Sequence, residues 1–334
     1  MVTDRAEHLL EGLRKGDRSA VAEALNLVDD RRPAERATAL DLLDAIHAGD
    51  GAARGWRVGV TGPPGAGKST LLNAFVREER RRERSVGIVA VDPSSRRSGG
   101  ALLGDRMRLD TTARESGVFL RSMAARDRLG GLADATFASV EILSAVFDRV
   151  FVETVGIGQS ESEISRLVDT LVFVVQPGAG DTLQFMKAGI LEWPDVFVVN
   201  KADVGSAAER TRSELIAGLG LGERRDDDWT PPVLLCSARD DAGLGELCDA
   251  VEAHRAAQRD SGHADRRRAG ARSAYVLGAL LRRWGSHGIE RLGGEDAVIA
   301  RIEAETSRSP FRLAEMLGGE IEQGRTGSPG GSAR

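Results

Sequence analysis

Cysteine, aromatic residues and long apolar runs are all scarce in this sequence. Its two cysteines, Cys236 and Cys248, lie far apart and form no metal-binding or redox motif. Aromatic residues make up 4% of the chain, so we expect a core of mostly aliphatic side chains. No apolar segment approaches the ~18 residues that cross a bilayer, and the charged N-terminal segment has no secretory leader. These absences predict a soluble, cytoplasmic protein.

An excess of charge of one sign is also missing. The formal net charge is −5, from 46 Lys and Arg against 51 Asp and Glu. Nucleic acid and anionic membranes bind basic surfaces, so we expect neither as a partner. With 334 residues, of which 41% are apolar, the chain can form one large domain with extensions.

A glycine-rich segment matches G-x-x-x-x-G-K-[ST], the phosphate-binding loop of nucleotide triphosphatases. The residues before it predict a buried strand and those after it a helix, which is the context that the motif requires. The glycines let backbone amides approach the phosphates, and the helix N-terminus adds the positive end of its dipole. Lys68 is predicted to contact the β- and γ-phosphates, and the Ser69 hydroxyl to contact Mg²⁺. The nucleotide-binding residues predicted here are Gly62, Pro63, Pro64, Gly65, Ala66, Gly67, Lys68, Ser69 and Thr70.

Strand and helix patterns alternate from residue 56 to about 255. The apolar runs are continuous, which is typical of strands buried on both faces of a parallel sheet. We therefore predict an α/β P-loop NTPase fold with a mostly parallel central sheet flanked by helices, its ligand bound beyond the carboxyl ends of the strands. The predicted strands are 57–61, 86–91, 118–121, 149–153, 171–176, 195–199 and 233–236.

Helical patterns flank this region on both sides. Pro33 can begin the third of three N-terminal helices. Leu281 and Trp284 belong to an apolar stripe near the C-terminus, and the mixed-sign run at 77–84 predicts an exposed helix end. The predicted divisions are an N-terminal helical extension at 1–50, a nucleotide-binding G domain at 51–260, a C-terminal helical arm at 261–322 and a disordered tail at 323–334.

Acidic residues and a glycine follow the second and fourth predicted strands. Asp92 and Asp105 are candidates for the Mg²⁺ site, because Mg²⁺ prefers oxygen ligands, although Asp also starts turns and caps helices. Glu153 ends a buried strand, where an acidic residue orients Mg²⁺ or its waters. Gly156 can donate its N–H to the γ-phosphate, so its loop is a natural switch, and Gln159 can position the attacking water or cap a helix. The predicted catalytic residues are Lys68, Asp92, Glu153 and Gly156.

A base-recognition motif, Asn-Lys-x-Asp, follows the sixth predicted strand. The Asp203 carboxylate can accept hydrogen bonds from guanine N1–H and N2–H₂, which adenine lacks. The stem of Lys201 can cover the base. Alone the motif could be a polar turn, but it lies downstream of a phosphate loop and precedes Cys-Ser-Ala after another strand. The combination indicates GTP/GDP as the ligand, with Asn200, Lys201, Asp203, Ser237 and Ala238 as its further binding residues.

Longer motifs over about residues 40–290 resemble the MeaB/ArgK type of G protein, the methylmalonyl-CoA mutase-associated GTPases. Several of these strings seldom occur together outside that family. They are Val91-Asp92-Pro93-Ser94-Ser95, Gly99-Gly100-Ala101-Leu102-Leu103-Gly104-Asp105-Arg106, Arg121-Ser122-Met123, Leu129-Gly130-Gly131-Leu132-Ala133, Glu153-Thr154-Val155-Gly156-Ile157-Gly158-Gln159-Ser160-Glu161 and Pro177-Gly178-Ala179-Gly180-Asp181.

The resemblance implies a GTPase that escorts an adenosylcobalamin-dependent acyl-CoA mutase. It implies that GTP binding and hydrolysis gate cofactor loading and protect or reactivate the mutase, and that the C-terminal arm forms a homodimer. The loop with Asp92 and Asp105 resembles switch I, residues 153–163 resemble switch II, and residues 177–187 resemble a third switch. The residues predicted to switch or to contact the partner are Gln159, Asp181, Gln184 and Lys187.

Three alternative functions stay open. The first is a kinase-type phosphotransferase acting on a transport protein. The second is a GTP-binding metallochaperone for another metalloenzyme; a nickel-type protein would need a His-rich tract or a close cysteine pair, whereas the five histidines are scattered. The third is a scaffold that binds GTP without turnover.

Overall fold

The chain folds into two units. One comprises Met1–Ala52 and Arg266–Arg334, and the other comprises Ala53–Asp265. The four-part division predicted from the sequence stays a prediction. The computed structural model describes residues 3–30, 32–49, 55–93, 115–125, 134–153, 161–178, 192–220 and 229–324.

The described elements alternate between helix and strand through the middle of the chain, as the sequence predicts. A 3-10 turn, Ala202–Val204, follows the sixth strand. In chain order the elements are α1 (Asp4–Arg14), α2 (Arg18–Asp29), α3 (Pro33–Ala48), β1 (Trp56–Thr61), α4 (Lys68–Arg81), β2 (Val86–Pro93), β3 (Val118–Ala125), α5 (Asp134–Val146), β4 (Arg149–Glu153), α6 (Glu161–Leu167), β5 (Thr170–Val175), β6 (Val196–Val199), α7 (Ser206–Leu219), β7 (Val233–Leu235), α8 (Leu244–Asp260), α9 (His263–Arg291), α10 (Glu295–Ala304) and α11 (Pro310–Glu322).

The seven strands form one sheet in the order β3-β2-β4-β1-β5-β6-β7. Every described strand pair is parallel. All seven predicted strands are present, which confirms the α/β class with a parallel central sheet. Strand β1 lies between β4 and β5, so the loop that follows it sits at the centre of the carboxyl edge, between the loops that follow its neighbours.

The core of the sheet unit lies on both faces of the strands. Strands β1, β4, β5 and β6 are buried along their whole length, which explains their continuous apolar sequences. On one face Phe75 of α4 packs edge-to-face on Phe151, with ring centroids 4.8 Å apart. On the other, Phe173 and Phe197 meet at 6.0 Å. This packing holds the loops at the carboxyl edge on a rigid base.

A buried polar cluster occupies the amino ends of β1 and β5. Trp56 Nε1 donates to Thr170 Oγ1 at 2.8 Å, and that oxygen lies 2.8 Å from Nδ1 of His254 on α8. His254 is completely buried, and its Nε2 lies 3.5 Å from an Asp195 carboxylate oxygen. The ring of Trp229 meets His254 edge-on at 4.9 Å. These mutual contacts join the polar groups of the cluster to one another at the sheet edge opposite the phosphate loop.

The other unit contains the helices from both ends of the chain. Helix α3 begins at Pro33, as predicted. Arg312 of α11 donates to Asp41 at 2.6 Å and to Asp44 at 2.7 Å, which ties α11 to α3. Leu281 was expected in the apolar stripe of the arm, but it is 44% exposed, and the stripe is formed by its neighbours. The buried residues of α9 in this stripe are Val276, Leu277 and Leu280.

The prediction of an exposed helix end at 77–84 holds for Arg81 and Glu83, is wrong for Glu79, and holds only in part for the other five residues, which are partly buried. Glu79 is completely buried and accepts a hydrogen bond from Arg84 at 2.9 Å. Its other oxygen lies 3.4 Å from Nε of Arg149, which is 1% exposed and also pairs with Glu252. The partner that buries Glu79 comes from β4, about 70 residues further along the chain.

Replacing Arg149 with methionine is expected to lower the free energy of unfolding by about 3 kcal/mol, because the buried Glu79 carboxylate loses one of its two arginine partners and keeps only the partly exposed Arg84. Urea unfolding monitored by circular dichroism measures the change. Arg81→Ala is the control, since this arginine is 56% exposed and ion pairs of exposed side chains contribute at most about 1 kcal/mol. Equal losses in the two variants would contradict a buried ion pair at Glu79.

Candidate functional site

The phosphate loop depends on glycine at two close backbone approaches. Gly62 has φ 141°, and a Cβ there would lie 2.0 Å from the carbonyl oxygen of Val174 on β5. Gly67 has φ 84°, and its Cβ would lie 2.6 Å from Nδ2 of Asn200. Any other residue at these two positions would displace a neighbouring strand or the base-side loop. The loop is therefore held tightly between β5 and the loop after β6.

Lys68 is the first residue of α4 and is only 8% exposed. Its Nζ donates to the carbonyl oxygens of Gly62 at 2.9 Å and Pro63 at 3.1 Å. The ammonium thus lies within the loop, beside the N-terminus of a 14-residue helix. A buried cation and a helix dipole at one point create strong attraction for phosphate.

A hydroxyl and a carboxylate meet beside this lysine. The Ser69 Oγ donates to Glu153 Oε1 at 2.6 Å. Glu153 ends β4, where it is paired in register with Val60 of β1, and it is 8% exposed. The two side chains offer oxygen donors at the phosphate end of the loop, which is the ligand chemistry that Mg²⁺ prefers. Ser69 and Glu153 therefore fit a Mg²⁺ site, Glu153 directly or through water.

Asn200 connects the base side to the phosphate loop. Its Nδ2 donates to the Ala66 carbonyl at 2.9 Å, and its Oδ1 accepts the Ala238 N–H at 3.3 Å. The residue is 2% exposed, so these contacts are structural links between three loops. They bring the loop after β6 and the loop after β7 to the same end of the sheet as Lys68.

The Asp203 carboxylate is held on both oxygens. Ser237 Oγ lies 3.0 Å from its Oδ1, and the Arg239 guanidinium lies 3.0 Å from its Oδ2. Arg239 also forms a two-pronged pair with Asp240. A carboxylate fixed in this way can present its remaining lone pairs to two adjacent N–H donors. The sequence motif pointed to Asp203 and Ser237; it did not identify Arg239, which is the residue directly after the Ser-Ala pair.

Lys201 connects the base-recognition loop, to which it belongs, with the phosphate loop. It has the left-handed backbone conformation, with φ 60° and ψ 40°, and its Nζ donates to the Gly65 carbonyl at 2.9 Å. The same ammonium donates to Gln176 Oε1 at 2.7 Å. No sequence motif singles out Gln176, which directly follows β5.

Several predicted site residues fall in parts of the chain that the structure does not describe. Asp92 lies in β2, with its backbone in register with Ala124, but its side chain is outside the description. The assignments that lie wholly outside the described residues, and that stay predictions, are Asp105, Gly156, Gln159, Asp181, Gln184 and Lys187.

The cysteines do not contribute reactive groups. Burial raises the pKa of Cys236 to about 12 and also raises the pKa of Cys248, so both thiols stay protonated near neutral pH. Among the described residues, no group of three or more His, Cys, Asp or Glu side chains could hold a metal ion. None of the described helices is long and apolar enough to cross a membrane.

A parallel sheet with a phosphate loop after its central strand, and an Asn-Lys-x-Asp reader at the same edge, is the arrangement of a P-loop GTPase. The sequence comparison gives the family. The chain belongs to the family described as methylmalonyl Co-A mutase-associated GTPase MeaB, whose family model matches residues 21–283. The predicted resemblance, GTPase activity and guanine-nucleotide binding are confirmed.

Similar proteins cover most of the chain. A putative GTPase of Pyrococcus abyssi is 39% identical over 94% of this chain and 96% of its own. The GTPase ArgK of Escherichia coli is 40% identical over 72% of each chain. The mouse mitochondrial methylmalonic aciduria type A homolog is 36% identical over 73% of this chain and 62% of its own. A crystal structure titled LAO/AO transport system kinase has 29% identity and a TM-score of 0.67, covering 96% of this chain and 99% of that chain, which confirms the P-loop fold.

Proposed function

We propose that this GTPase is the chaperone of an adenosylcobalamin-dependent acyl-CoA mutase of the methylmalonyl-CoA mutase type. In this role GTP binding and hydrolysis gate cofactor loading and protect or reactivate the mutase. The observation that carries the proposal is the match of residues 21–283 to a family named for its association with that mutase. The matched range contains the phosphate loop, the base reader and the loops predicted to switch.

In the proposed site the residues act by positioning and by charge, because phosphoryl transfer requires little covalent chemistry from the protein. Lys68 contacts the β- and γ-phosphates, and the backbone amides of the loop surround them. Ser69 and Glu153 would hold Mg²⁺, which would supply positive charge to neutralise the phosphates. Asp92 and Asp105 complete the metal environment, and Gly156 donates its N–H to the γ-phosphate.

Guanine is recognised at the other end of the site. Asp203 accepts hydrogen bonds from guanine N1–H and N2–H₂, and the Lys201 stem covers the base. Asn200 fixes the base loop to the phosphate loop, as its bond to the Ala66 carbonyl supports. Ser237 orients Asp203, and Ala238 completes the base pocket.

Partner contacts are proposed for the loops around this site and for the C-terminal helices. Gln159, Asp181, Gln184 and Lys187 respond to the γ-phosphate and contact the mutase. The helical arm at 261–322 forms a homodimer. The proposed partner is a protein in the cytoplasm, and we expect neither nucleic acid nor a membrane as a partner.

The mutase is expected to accelerate GTP hydrolysis. Alone, a P-loop G protein turns over at about 10⁻⁴ to 10⁻² s⁻¹, and we expect this chain in that range. Adding an adenosylcobalamin-dependent acyl-CoA mutase of the same organism should raise the rate about tenfold or more, because a protein bound to the switch loops can supply missing transition-state contacts. Phosphate release under single-turnover conditions measures both rates.

Lys68→Ala, mixed with the same mutase, is the matched control for contaminating phosphatases. If none of the host's mutases of this type changes the rate of GTP hydrolysis, the chaperone proposal is contradicted and the GTPase assignment stays intact.

A kinase-type phosphotransferase is the second candidate, because the similar solved structure carries a transport-system kinase title. Radiolabelled γ-phosphate distinguishes the two functions. Label released as free phosphate supports the GTPase chaperone, whereas label on a transport protein supports the kinase. A metallochaperone for another metalloenzyme is disfavoured by the two buried thiols, whose raised pKa values oppose metal binding.

A further inference from the structure

Gln176 contacts the base-side lysine although it belongs to none of the nucleotide-binding motifs. It lies directly after β5, and its Oε1 accepts the Lys201 Nζ at 2.7 Å. The same ammonium donates to the Gly65 carbonyl at 2.9 Å. Lys201 is therefore held between two acceptors from different loops, one in the phosphate loop and one at the end of β5.

The backbone of Lys201 is prepared for this bridge. A left-handed conformation is uncommon for a residue with a side chain and costs free energy, so the surrounding structure must maintain it. The next residue, Ala202, donates its N–H to the Cys236 carbonyl at 2.9 Å, and Val204 donates back to the Lys201 carbonyl at 3.2 Å. Fixing the backbone in this way directs the long, flexible lysine stem toward the phosphate loop.

Gln176 is itself held in place. Its neighbour Val175 accepts the Asn200 N–H at 2.9 Å, so the end of β5 is joined to the base-recognition loop. Two residues later, Gly178 donates its N–H to Thr211 Oγ1 on α7 at 3.3 Å. The backbone is thus anchored on both sides of Gln176, and from this fixed position its side chain reaches the Lys201 ammonium.

We propose that Gln176 is a positioning residue for guanine nucleotide, which acts through Lys201 and slows nucleotide release. It fixes the lysine stem in the place from which it can cover the base, and it links that stem to the phosphate loop through Gly65. This role rests on guanine-nucleotide binding by the family. Its failure would leave that binding intact.

The test measures release of a fluorescent GDP analogue by stopped flow. Gln176→Leu removes the acceptor at nearly constant volume, and release is expected to accelerate about fivefold, as for the loss of one partly exposed hydrogen bond to a charged group. Gln176→Glu restores an acceptor and should return release to the wild-type rate or below. Release at the wild-type rate in Gln176→Leu would overturn the proposal.

A double-mutant cycle separates positioning of Lys201 from a merely structural role. If Gln176 acts through the lysine, Gln176→Leu combined with Lys201→Ala releases GDP at the rate of Lys201→Ala alone. If the double variant instead accelerates GDP release by the product of the two single-variant factors, the proposal is overturned. Thr211→Val is the matched control, because it removes the other anchor of the same segment without touching Lys201. It should accelerate release less than Gln176→Leu does, because the contact between Gln176 and Lys201 remains. Acceleration equal to that of Gln176→Leu would indicate a structural effect and contradict the positioning role.

Discussion

Replacing Lys68 with alanine is expected to abolish measurable GTP hydrolysis and to weaken nucleotide binding strongly. Lys68 is 8% exposed, and its ammonium is held within the phosphate loop by two of the loop's carbonyls. Loss of one such preorganised donor lowers turnover by about 10²- to 10³-fold. From an intrinsic rate already near 10⁻³ s⁻¹, hydrolysis then falls below detection. Single-turnover phosphate release and titration with a fluorescent nucleotide measure the two effects.

A second substitution shows whether charge or packing is responsible. Lys68→Met keeps most of the buried stem and removes the ammonium, so its hydrolysis should be as low as that of Lys68→Ala. Lys15→Ala is the control, because this lysine is on the surface and pairs with Glu11 in the preceding turn. Turnover of Lys68→Ala at the wild-type rate would refute the role assigned to the phosphate loop.

Asp203→Asn is expected to shift nucleotide preference from guanine to xanthine. The Asp203 carboxylate, held by Ser237 and Arg239, can accept from two guanine N–H donors, whereas an asparagine places an NH₂ group opposite them. Xanthine has a carbonyl in place of the guanine 2-amino group and complements that NH₂. We expect GDP affinity to fall by about 10²-fold or more and XDP affinity to rise, measured by competition against a fluorescent nucleotide.

The neighbouring Asp240 supplies the matched control. It shares Ser237 and Arg239 with Asp203, yet its side chain is 47% exposed. Asp240→Asn should therefore keep the preference for guanine. Unchanged GDP affinity in Asp203→Asn, or the same shift in both variants, would exclude Asp203 as the base reader.

The sheet could be predicted almost completely from the sequence, because its strands are buried on both faces and therefore read as continuous apolar runs. The phosphate loop and the base reader could be located for a similar reason. Close backbone approaches at Gly62 and Gly67 permit only glycine, and this restriction leaves a local sequence pattern. Local patterns thus gave the elements and the two halves of the site.

Long-range contacts could not be predicted in this way. Glu79 lies in the segment 77–84, whose mixed charges are typical of an exposed helix end. Its burial depends on Arg149 from β4. Gln176 and Arg239 reach Lys201 and Asp203 only after the sheet has placed β5, β6 and β7 side by side. A single sequence contains no local signal for such pairings.

Helix α11 lies inside the predicted helical arm, but its start was not predicted although the sequence carries a signal for it. Ser309 accepts the Arg312 N–H at its start, and Pro310 occupies the first turn, a typical pair of helix-start residues. The apolar positions Phe311, Leu313, Leu317 and Ile321 are all buried. The wrong placement of Leu281 in the apolar stripe has a different cause. An apolar residue beside such a stripe can face solvent while the stripe keeps its helical period.

The buried polar cluster at the amino ends of β1 and β5 contains two tryptophans, Trp56 and Trp229, and this has a spectroscopic consequence. Trp56 is 1% exposed, its ring NH is bonded to Thr170, and it lies one strand length, about 20 Å, from the phosphate loop. Its emission reports the dry interior around β1 and β5 and shifts to the red only when that interior opens to water. Trp229 lies beside His254, whose ring stands 6.5 Å from Trp56. Fluorescence from this pair therefore follows unfolding of the nucleotide unit independently of the occupant of its phosphate loop.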